Sequence, residues 1–410
     1  MAAIETECCV VGGGPAGMMA GYLFARAGVK TVVLEKHGDF LRDFRGDTVH
    51  PSTLEIMHEL GLAEAFLKRP HQKAERLGGN FGEKHLRIAD FTGIKAHYPF
   101  IALMPQWDFL DFLADAAKKL PSFSLRMNTE ATDLIEEDGR IAGVRAAGPK
   151  GDIEIRAKLT IGADGRHSTV RDRSGLKVLD IGAPIDVFWF RVDRDPEQGE
   201  DVLFNAAAGR IVVTIDRGDY WQCTYVIAKD GAPKIRAAGL DAFRRSVIDA
   251  VPWLAPHIDQ IASWDDVKLL TVTVDRLEKW SRPGLVMIGD SAHAMSPIGG
   301  VGINLAIQDA VACANLLSGP LAAGTLTDAD LERVRERRLW PTRVVQFAQV
   351  QAHRLILTPL LKSGRRDPQP PLFIRVISAL PWLQRRFASW VGLGVRPEHV
   401  HSPRAQKACL

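Results

Sequence analysis

The stretch that decides the fold lies near the start of the chain, where residues 7–36 read ECCVVGGGPAGMMAGYLFARAGVKTVVLEK. A short apolar run ends at Val11 and is followed by a glycine-rich turn over residues 12–17. Small and apolar residues then predict a helix that closes at Gly28, and Thr31–Leu34 predicts a second strand. The order strand, glycine turn, helix and strand predicts one βαβ unit with parallel strands.

The glycines of this turn have the GxGxxG spacing of dinucleotide-binding proteins. Gly12 is expected to permit the tight turn, Gly14 to let a pyrophosphate approach, and Gly17 to let the helix pack closely on the strand. Pro15 and Ala16 open a helix whose N-terminus attracts phosphate. The alternative is a glycine-rich turn that only packs tightly.

An acidic residue follows the second strand at the place where a ribose is bound. Glu35 can accept hydrogen bonds from the adenosine ribose hydroxyls, and Lys36 lies next to it. Strand, glycines, helix, strand and acid in this order predict dinucleotide binding. The unit alone does not distinguish NAD from FAD.

Two later segments distinguish them. Residues 162–171 read GADGRHSTVR and residues 289–304 read GDSAHAMSPIGGVGIN, and each follows an apolar run that predicts a parallel strand. In the second of them a strand ends at Ile288, so Asp290 is expected at the carboxyl end, where ligands of open sheets bind. An acid there can accept hydrogen bonds from the ribityl hydroxyls of FAD. The glycines at 299, 300 and 302 allow backbone amides to approach the flavin ring, and the following helix N-terminus favours its negative charge when reduced.

The three segments together resemble the fingerprints of the FAD-dependent aromatic hydroxylase family, the class A flavoprotein monooxygenases that include para-hydroxybenzoate hydroxylase. They extend, in the family's order, over residues 8–310. The resemblance implies an enzyme that binds FAD non-covalently and takes NAD(P)H as a transient co-substrate. It further implies hydroxylation of an aromatic or phenolic, fairly apolar small molecule by O2 through a C4a-hydroperoxyflavin.

The resemblance also assigns roles to single positions. Asp164 and Gly165 match a pair that touches FAD and influences nicotinamide binding. Arg45 matches an arginine that faces FAD, and Gln106 a glutamine beside the flavin; both can instead be solvated loop residues. The predicted cofactor-binding residues are Gly12, Gly14, Pro15, Ala16, Gly17, Glu35, Lys36, Arg45, Gln106, Asp164, Gly165, Gly289, Asp290, Pro297, Gly299, Gly300, Gly302, Ile303 and Asn304.

No residue is assigned to catalysis, because the cofactor performs the difficult chemistry. His50 and His293 can relay a proton from a phenol or be structural, with His293 bonded within its own loop, and Pro297 is implied to lie beside the flavin. Arg171 either contacts the cofactor or closes a helix turn by an ion pair with Asp164.

The order of elements predicts an α/β fold, α+β overall. A Rossmann-like FAD-binding domain with a mainly parallel sheet is expected over residues 1–75, 100–180 and 270–350. An antiparallel-sheet substrate domain is expected over 76–99 and 181–269, and a helical region over 351–410. Helices are expected from Ile303 to Leu317 and from Leu331 to Leu355.

The substrate surface is expected on the antiparallel sheet, where aromatic residues are concentrated. Because side chains alternate along a strand, only one set can line a pocket. The candidates are Trp189, Arg191, Tyr220 and Tyr225. A flavin reductase or dehydrogenase on the same scaffold, a hydroxylase of a lipophilic quinone precursor, and a cofactor-free binding protein of the Rab escort type are the alternative functions.

Composition limits the partners and the compartment. The 410 residues are 46% hydrophobic with a formal charge of +3, which gives no reason to expect nucleic acid. The five cysteines have no metal-ligand spacing and are expected to be reduced and mostly buried. No signal peptide, transmembrane helix or metal is expected, and the enzyme is predicted to be cytoplasmic, as a monomer or homodimer.

The end of the chain is basic. From residue 331 onward there are fifteen Lys and Arg against four acids, mixed with apolar runs. This pattern fits either an interfacial helix on an anionic membrane or a helical layer docked on the substrate domain. We predict the docked helical layer.

Overall fold

A computed structural model describes residues 2–41, 48–195 and 203–405. The strands within these ranges are β1 (Ala2–Val11), β2 (Thr31–Leu34), β3 (Thr48–Val49), β4 (Gln72–Ala74), β5 (Arg76–Phe81), β6 (Lys84–Asp90), β7 (Ile101–Leu103), β8 (Phe123–Arg126), β9 (Glu130–Glu137), β10 (Arg140–Gly148), β11 (Gly151–Gly162), β12 (Val178–Asp180), β13 (Ile185–Asp193), β14 (Leu203–Ala207), β15 (Arg210–Asp216), β16 (Tyr220–Ala228), β17 (Lys268–Leu270), β18 (Asp275–Leu277), β19 (Ser281–Arg282) and β20 (Leu285–Met287).

The α-helices lie between and after these strands. They are α1 (Pro15–Arg26), α2 (Pro51–Glu59), α3 (Ala63–Phe66), α4 (Gln106–Ala117), α5 (Thr169–Ser174), α6 (Ala232–Ala237), α7 (Leu240–Ala250), α8 (Gly302–Ala322), α9 (Asp328–Ala352), α10 (Thr358–Ser363), α11 (Leu372–Ala379) and α12 (Pro381–Leu393).

The first sheet is mainly parallel, as predicted. Its strand order is β19-β20-β11-β1-β2-β8, and β1 pairs in parallel with both β11 and β2. β20 extends the parallel pairing beyond β11, while β10 and β9 add an antiparallel arm. The central strands are rich in Val, Ile and Leu because apolar clusters cover both faces of the sheet. Helices α1 and α8 pack together in one of these layers.

The second sheet has seven strands in the order β17-β13-β16-β15-β14-β5-β6 and is antiparallel except for the pair β14 and β5. One face is covered by α7 and a 3-10 segment over Pro252–Gln260, where Phe188 and Phe190 contact Phe243. We call this the outer face. The opposite, inner face packs against Ile298 and the C-terminal helices.

The two sheets correspond to the two predicted types of sheet, so the fold class is confirmed. β5 and β6 join the antiparallel sheet although β3, β4 and β7 on either side of them form a small sheet of their own. The residue boundaries assigned above to the domains stay a prediction.

One segment of the described residues, Ile298–Ala322, has the length and apolar composition of a membrane span. It contains α8, and 67% of its most apolar part is buried inside the protein. α8 begins at Gly302, one residue before the predicted start at Ile303, and runs five residues past the predicted end at Leu317 to Ala322.

The end of the chain forms helices that dock on the second sheet. α9 passes into a π-helical turn over His353–Leu357, and α11 and α12 pack on β6 through the buried Ile374 and Ala388. Their other side is exposed: Leu372 is 71% and Trp382 62% accessible.

Candidate active site

The first glycine turn has the geometry that its spacing predicts. Gly12 has φ +107°, and a Cβ there would lie 2.4 Å from the Ala163 carbonyl oxygen. A Cβ on Gly17 would lie 1.8 Å from the Gly12 carbonyl oxygen, so the close packing of α1 on β1 requires glycine. A Cβ on Gly14 would meet nothing within 4 Å. The turn is therefore closed on its protein side and open at Gly14, where a pyrophosphate would approach.

Glu35 lies at the end of β2 and is 7% exposed. Its two carboxylate oxygens accept hydrogen bonds from the Gly13 amide at 3.1 Å and the His37 amide at 3.0 Å. These bonds hold the carboxylate beside the glycine turn, and a carboxylate oxygen can accept more than one hydrogen bond. Lys36 is exposed and lies 3.9 Å from Glu130.

Asp164 holds the second motif together. It accepts hydrogen bonds from the Ser168 hydroxyl at 2.5 Å and the Val170 amide at 3.1 Å. Burial raises the pKa of Asp164, and these hydrogen bonds oppose the rise. Gly165 has φ +83°, and a Cβ there would meet nothing within 4 Å. The carboxylate therefore shapes this loop, and its backbone stays open at Gly165.

The alternative expectation for Arg171, an ion pair with Asp164, is wrong. Its guanidinium lies 3.4 Å from Asp275 and donates a hydrogen bond to the Arg166 carbonyl at 2.5 Å. Asp164 is already occupied by Ser168 and Val170. Arg171 is thus a buried link between α5 and β18.

The third motif contacts the first at the ends of β1 and β20. Gly289 has φ +63°, and a Cβ there would lie 3.0 Å from the Cβ of Ala16 and 3.2 Å from that of Ala306. The Asp290 side chain remains 36% accessible, and its cationic neighbour Arg166 lies 4.0 Å away. An accessible carboxylate at this strand end can accept hydrogen bonds from a polyol chain.

Asn304 fixes the glycine loop that follows. Its side-chain oxygen accepts hydrogen bonds from the His50 amide and the Thr53 hydroxyl, both at 2.8 Å. Its amide nitrogen donates to the Thr48 carbonyl at 3.1 Å, and the Thr48 hydroxyl donates to the Gly300 carbonyl at 3.0 Å. The first amides of α8, including that of Ile303, have no acceptor within the helix and remain available to a ligand.

The His293 side chain was expected to hydrogen-bond within its own loop, and it does not. Its Nε2 donates to Asp309 of α8 at 2.5 Å, and Asp309 also accepts from Arg338 at 2.8 Å. Arg338 in turn contacts Glu398 at 3.1 Å. Burial would raise the pKa of Asp309, but His293 and Arg338 together hold it below its ordinary value. This buried network is a structural link between α8, α9 and the segment after α12.

His50 lies directly before α2 and is fully buried. Its Nδ1 donates to the Val391 carbonyl at 3.0 Å, so Nε2 carries no proton, and Nε2 has no partner among the described residues. Burial lowers the pKa of His50 to about 4, although the bond to Val391 opposes this shift. His50 can therefore accept a hydrogen bond near neutral pH but is a weak base.

Two predicted cofactor contacts have different outcomes. Gln106 begins α4 directly after β7, and β7 pairs with β3, which carries Thr48 beside the glycine loop. Gln106 is thus the first residue of the helix and not part of a loop. Arg45 lies outside the described residues.

The four predicted substrate residues do not share one face. Trp189 lies on the inner face, against the same apolar cluster as Ile298 of the third motif, and the Arg191 guanidinium lies 5.8 Å from the Tyr220 ring. Tyr225 is on the outer face, where its ring lies 5.3 Å from that of Phe243. The candidate Tyr225 is therefore corrected to a core residue of the helical layer, because it pairs with Phe188 and not with Trp189 across the strands.

These features fit FAD. The open glycines at 14, 165 and 302, the Glu35 and Asp290 carboxylates and the N-terminus of α8 lie on loops at the carboxyl ends of neighbouring strands of the first sheet. Among the described residues, no group of three or more His, Cys, Asp or Glu is placed to hold a metal ion. The four described cysteines are buried and free, as the sequence predicted for them, and Cys409 lies outside the described residues.

Comparison with known proteins agrees with this arrangement. The model of the FAD binding domain family matches residues 5–348. The chain is 30% identical to 6-methylpretetramide 4-monooxygenase from Streptomyces rimosus. The match covers 94% of this chain and 92% of the relative. The chain belongs to the FAD-dependent aromatic hydroxylase family. This hydroxylase is also 24% identical to para-nitrophenol 4-monooxygenase from a Pseudomonas strain. That match covers 80% of this chain and 82% of the relative.

A solved structure shares the fold of the hydroxylase. The anhydrotetracycline hydroxylase OxyS from Streptomyces rimosus superposes with a TM-score of 0.74 at 23% identity, over 96% of this chain and 77% of that one. The identity of 30% to the Streptomyces rimosus enzyme, together with the family match, makes the chain an FAD-dependent monooxygenase.

Sequence reasoning missed the residues of α9 and of the π-helical turn after it that hold the loop around Pro297. Gln349 accepts a hydrogen bond from the Ser296 amide at 3.1 Å and donates to the Ser296 carbonyl at 2.9 Å. His353 lies 2.9 Å from the Ser296 hydroxyl, and Gln346 donates to the Ala294 carbonyl at 3.1 Å. The signal was present, because residues 346, 349 and 353 are polar and recur at helical spacing.

Proposed function

We propose that this hydroxylase takes reducing equivalents from NAD(P)H and inserts one oxygen atom of O2 into a phenolic ring of a multi-ring, mostly apolar substrate. One observation carries the proposal: the glycine loop of the third motif contacts the inner face of the antiparallel sheet through Ile298, which packs in the same cluster as Trp189. An apolar surface thus lies beside the loop assigned to the flavin.

The residues have separate roles in this proposal. Gly14 and the N-terminus of α1 would hold the pyrophosphate, Glu35 the adenosine ribose, Asp290 the ribityl chain, and the first amides of α8 the flavin ring. When bound, FAD supplies hydride acceptance and oxygen activation. The protein orients the ring to be hydroxylated and excludes water from the site through Ile298 and the apolar inner face.

His50 would act by orientation and not by full proton transfer. A phenol that donated to its Nε2 would keep most of its proton, since burial lowers the pKa of His50 to about 4. His293 is occupied by Asp309 and takes no part.

The size of the substrate is inferred from the relatives. The first relative is named for a pretetramide, and OxyS for anhydrotetracycline. The identity of 30% extends over 386 residues, which is 94% of this chain. We infer that this enzyme also takes a fused-ring aromatic compound.

The test of the proposed function has two stages. The purified protein should be yellow, and acid precipitation should release all of its flavin, because no covalent attachment is expected. Fused-ring phenols should then accelerate NAD(P)H oxidation and yield a product heavier by one oxygen atom. Reduction of the compound without a gain of oxygen would instead show a reductase on this scaffold.

The enzyme is further proposed to act in the cytoplasm without a membrane, as a monomer or homodimer. α11 and α12 support this because they dock on β6. The test is co-sedimentation with anionic vesicles at physiological salt. Substantial binding by the full chain, lost on truncation near Pro368, would show an interfacial enzyme and favour a lipophilic quinone-type substrate.

A further inference from the structure

A buried glutamine on the inner face of the antiparallel sheet has an unused donor. Gln222 is 2% exposed, and its side-chain oxygen accepts a hydrogen bond from Arg217 Nε at 3.1 Å. Arginine can only donate, so the oxygen of Gln222 faces it and the orientation of the amide is fixed. The Nε2 group of Gln222 is buried and has no partner among the described residues.

A tryptophan on the same face has the same property. The indole Nε1 of Trp189 is buried and unpartnered among the described residues. Its ring packs in two apolar clusters, one with Ile298 and one with Leu103, Ile215 and Val391. A buried N–H without an acceptor is destabilising, so two of them on one surface are available to a ligand that satisfies both.

The strand register places the two donors together. Trp189 pairs with Thr224 across β13 and β16, and Gln222 pairs with Arg191 on one side and Ile215 on the other. Trp189 and Gln222 are therefore diagonal neighbours, about 7 Å apart at their backbones, with both side chains on one face. One fused-ring molecule can reach both N–H groups.

We infer that Trp189 and Gln222 together bind the carbonyl oxygens of the substrate. The inference rests on the proposed function for the kind of molecule bound, and it narrows that class. Two N–H donors in an apolar surface select a ring system that carries ketone or quinone oxygens as well as its phenol. A phenol without such oxygens leaves both donors unsatisfied and is discriminated against.

The probes are two molecules of the same ring count and with the same hydroxyl group, 2-hydroxyanthraquinone and 2-hydroxyanthracene. They differ in the two carbonyl oxygens. Each is titrated calorimetrically into the oxidised holoenzyme, so that binding is measured without turnover. The wild-type protein is expected to bind the quinone at least about ten-fold more tightly, because the carbonyls satisfy both donors.

Two variants remove one donor each and keep the rest of the side chain. Trp189→Phe keeps an aromatic ring, and Gln222→Glu keeps the oxygen that faces Arg217. Each should weaken binding of the quinone about three- to ten-fold and binding of the hydroxyanthracene less than about two-fold. Trp253→Phe is the matched control, because Trp253 packs on Trp221 at the outer face, and it should change neither affinity.

Three results would overturn the inference: equal affinity of the wild type for both probes, no binding of either, or a loss in the variants that is the same for both. A variant is compared only if it retains its flavin and has the melting temperature of the wild type. The hydroxylase proposal fails separately, if the probes bind with this discrimination but no fused-ring phenol gains oxygen.

Discussion

The glycine loops of the first sheet and the inner face of the second sheet are built in opposite ways. In the loops, polar side chains are tied to nearby backbone, as Asp164 is to Val170 and Asn304 to His50. On the inner face, Trp189 and Gln222 keep buried donors that no described residue satisfies. The side chains that shape the loops are thus held by the protein itself, whereas the inner face keeps two buried donors for a ligand. The difference suggests that cofactor binding depends on backbone shape, and substrate selection on a few unsatisfied groups.

The largest expected effect is a loss of stability when the buried network around Asp309, which supports the glycine loops, is broken. Asp309→Ala removes the 2.8 Å contact of the fully buried Arg338, which keeps its contact with Glu398, and also removes the acceptor of His293. Breaking a buried ion pair costs about 3–5 kcal/mol, so the free energy of unfolding should fall by that amount. Urea unfolding measures it. Asp115→Ala at an exposed pair with Lys118 is the control and should cost less than about 1 kcal/mol.

Two glycines of the first turn separate folding from cofactor binding. Gly17→Ala would place a methyl 1.8 Å from the Gly12 carbonyl oxygen and should cost about 3 kcal/mol of stability together with the flavin. Gly14→Ala meets open space, so its stability should change by about 1 kcal/mol or less while FAD is lost, because the methyl lies on the pyrophosphate side. Urea unfolding and flavin content are the measurements. Full flavin content in the Gly14 variant would contradict the phosphate assignment.

A substitution at Asp290 tests whether this accessible carboxylate contacts the ribityl chain of FAD. Asp290→Ala should weaken FAD binding roughly ten- to a hundred-fold, since a charge-assisted hydrogen bond is worth about 1.5–3 kcal/mol. The free energy of unfolding of the flavin-free variant should stay close to that of the flavin-free wild type, because the Asp290 side chain is 36% exposed. Flavin retained on dilution gives the affinity. Equal retention by wild type and variant would refute the ribityl contact.

Acid is expected to destabilise the folded protein through protonation of His50. Its pKa is lowered to about 4 in the folded protein, below its unfolded value, so the unfolded state binds more protons between these values. The stability from neutral His50 is therefore present above about pH 6.5 and lost as pH falls toward 4, with about 2 kcal/mol lost by pH 5. His50→Gln should remove this part of the pH dependence in urea unfolding at pH 7.5, 6 and 5. An unchanged slope would show that other groups cause it.

The smallest effect is expected on the outer side of the C-terminal helices. Trp382→Ser changes a side chain that is 62% exposed and should alter the free energy of unfolding by less than about 0.5 kcal/mol. The matched change Ile374→Ser, at a side chain that is 3% exposed, should be clearly more destabilising. Similar losses in both variants would mean that the exposed side is covered in solution.

The sequence predicted the loop region well because its signals are local. Gly12, Gly17 and Gly289 occupy backbone positions that few other residues tolerate, and short spacing joins them to strands and helices. The same local reasoning failed for side chains whose partners are distant in the chain. His293 was expected to bond within its loop and instead contacts Asp309, and Arg171 contacts Asp275 and not Asp164.

The sequence by itself determined the class of fold, the flavin motifs and the alternation of side chains on the antiparallel strands. It could not determine which alternating set faces the flavin loop, because both sets include apolar and aromatic residues. A period-two pattern shows that a strand has two faces but not what packs on each face. Only the tertiary structure assigned Tyr225 to the helical layer and Trp189 to the inner face. It also showed that Gln222 has an unpaired donor, since a missing partner is a property of everything packed around a group and not of the residues beside it in the chain.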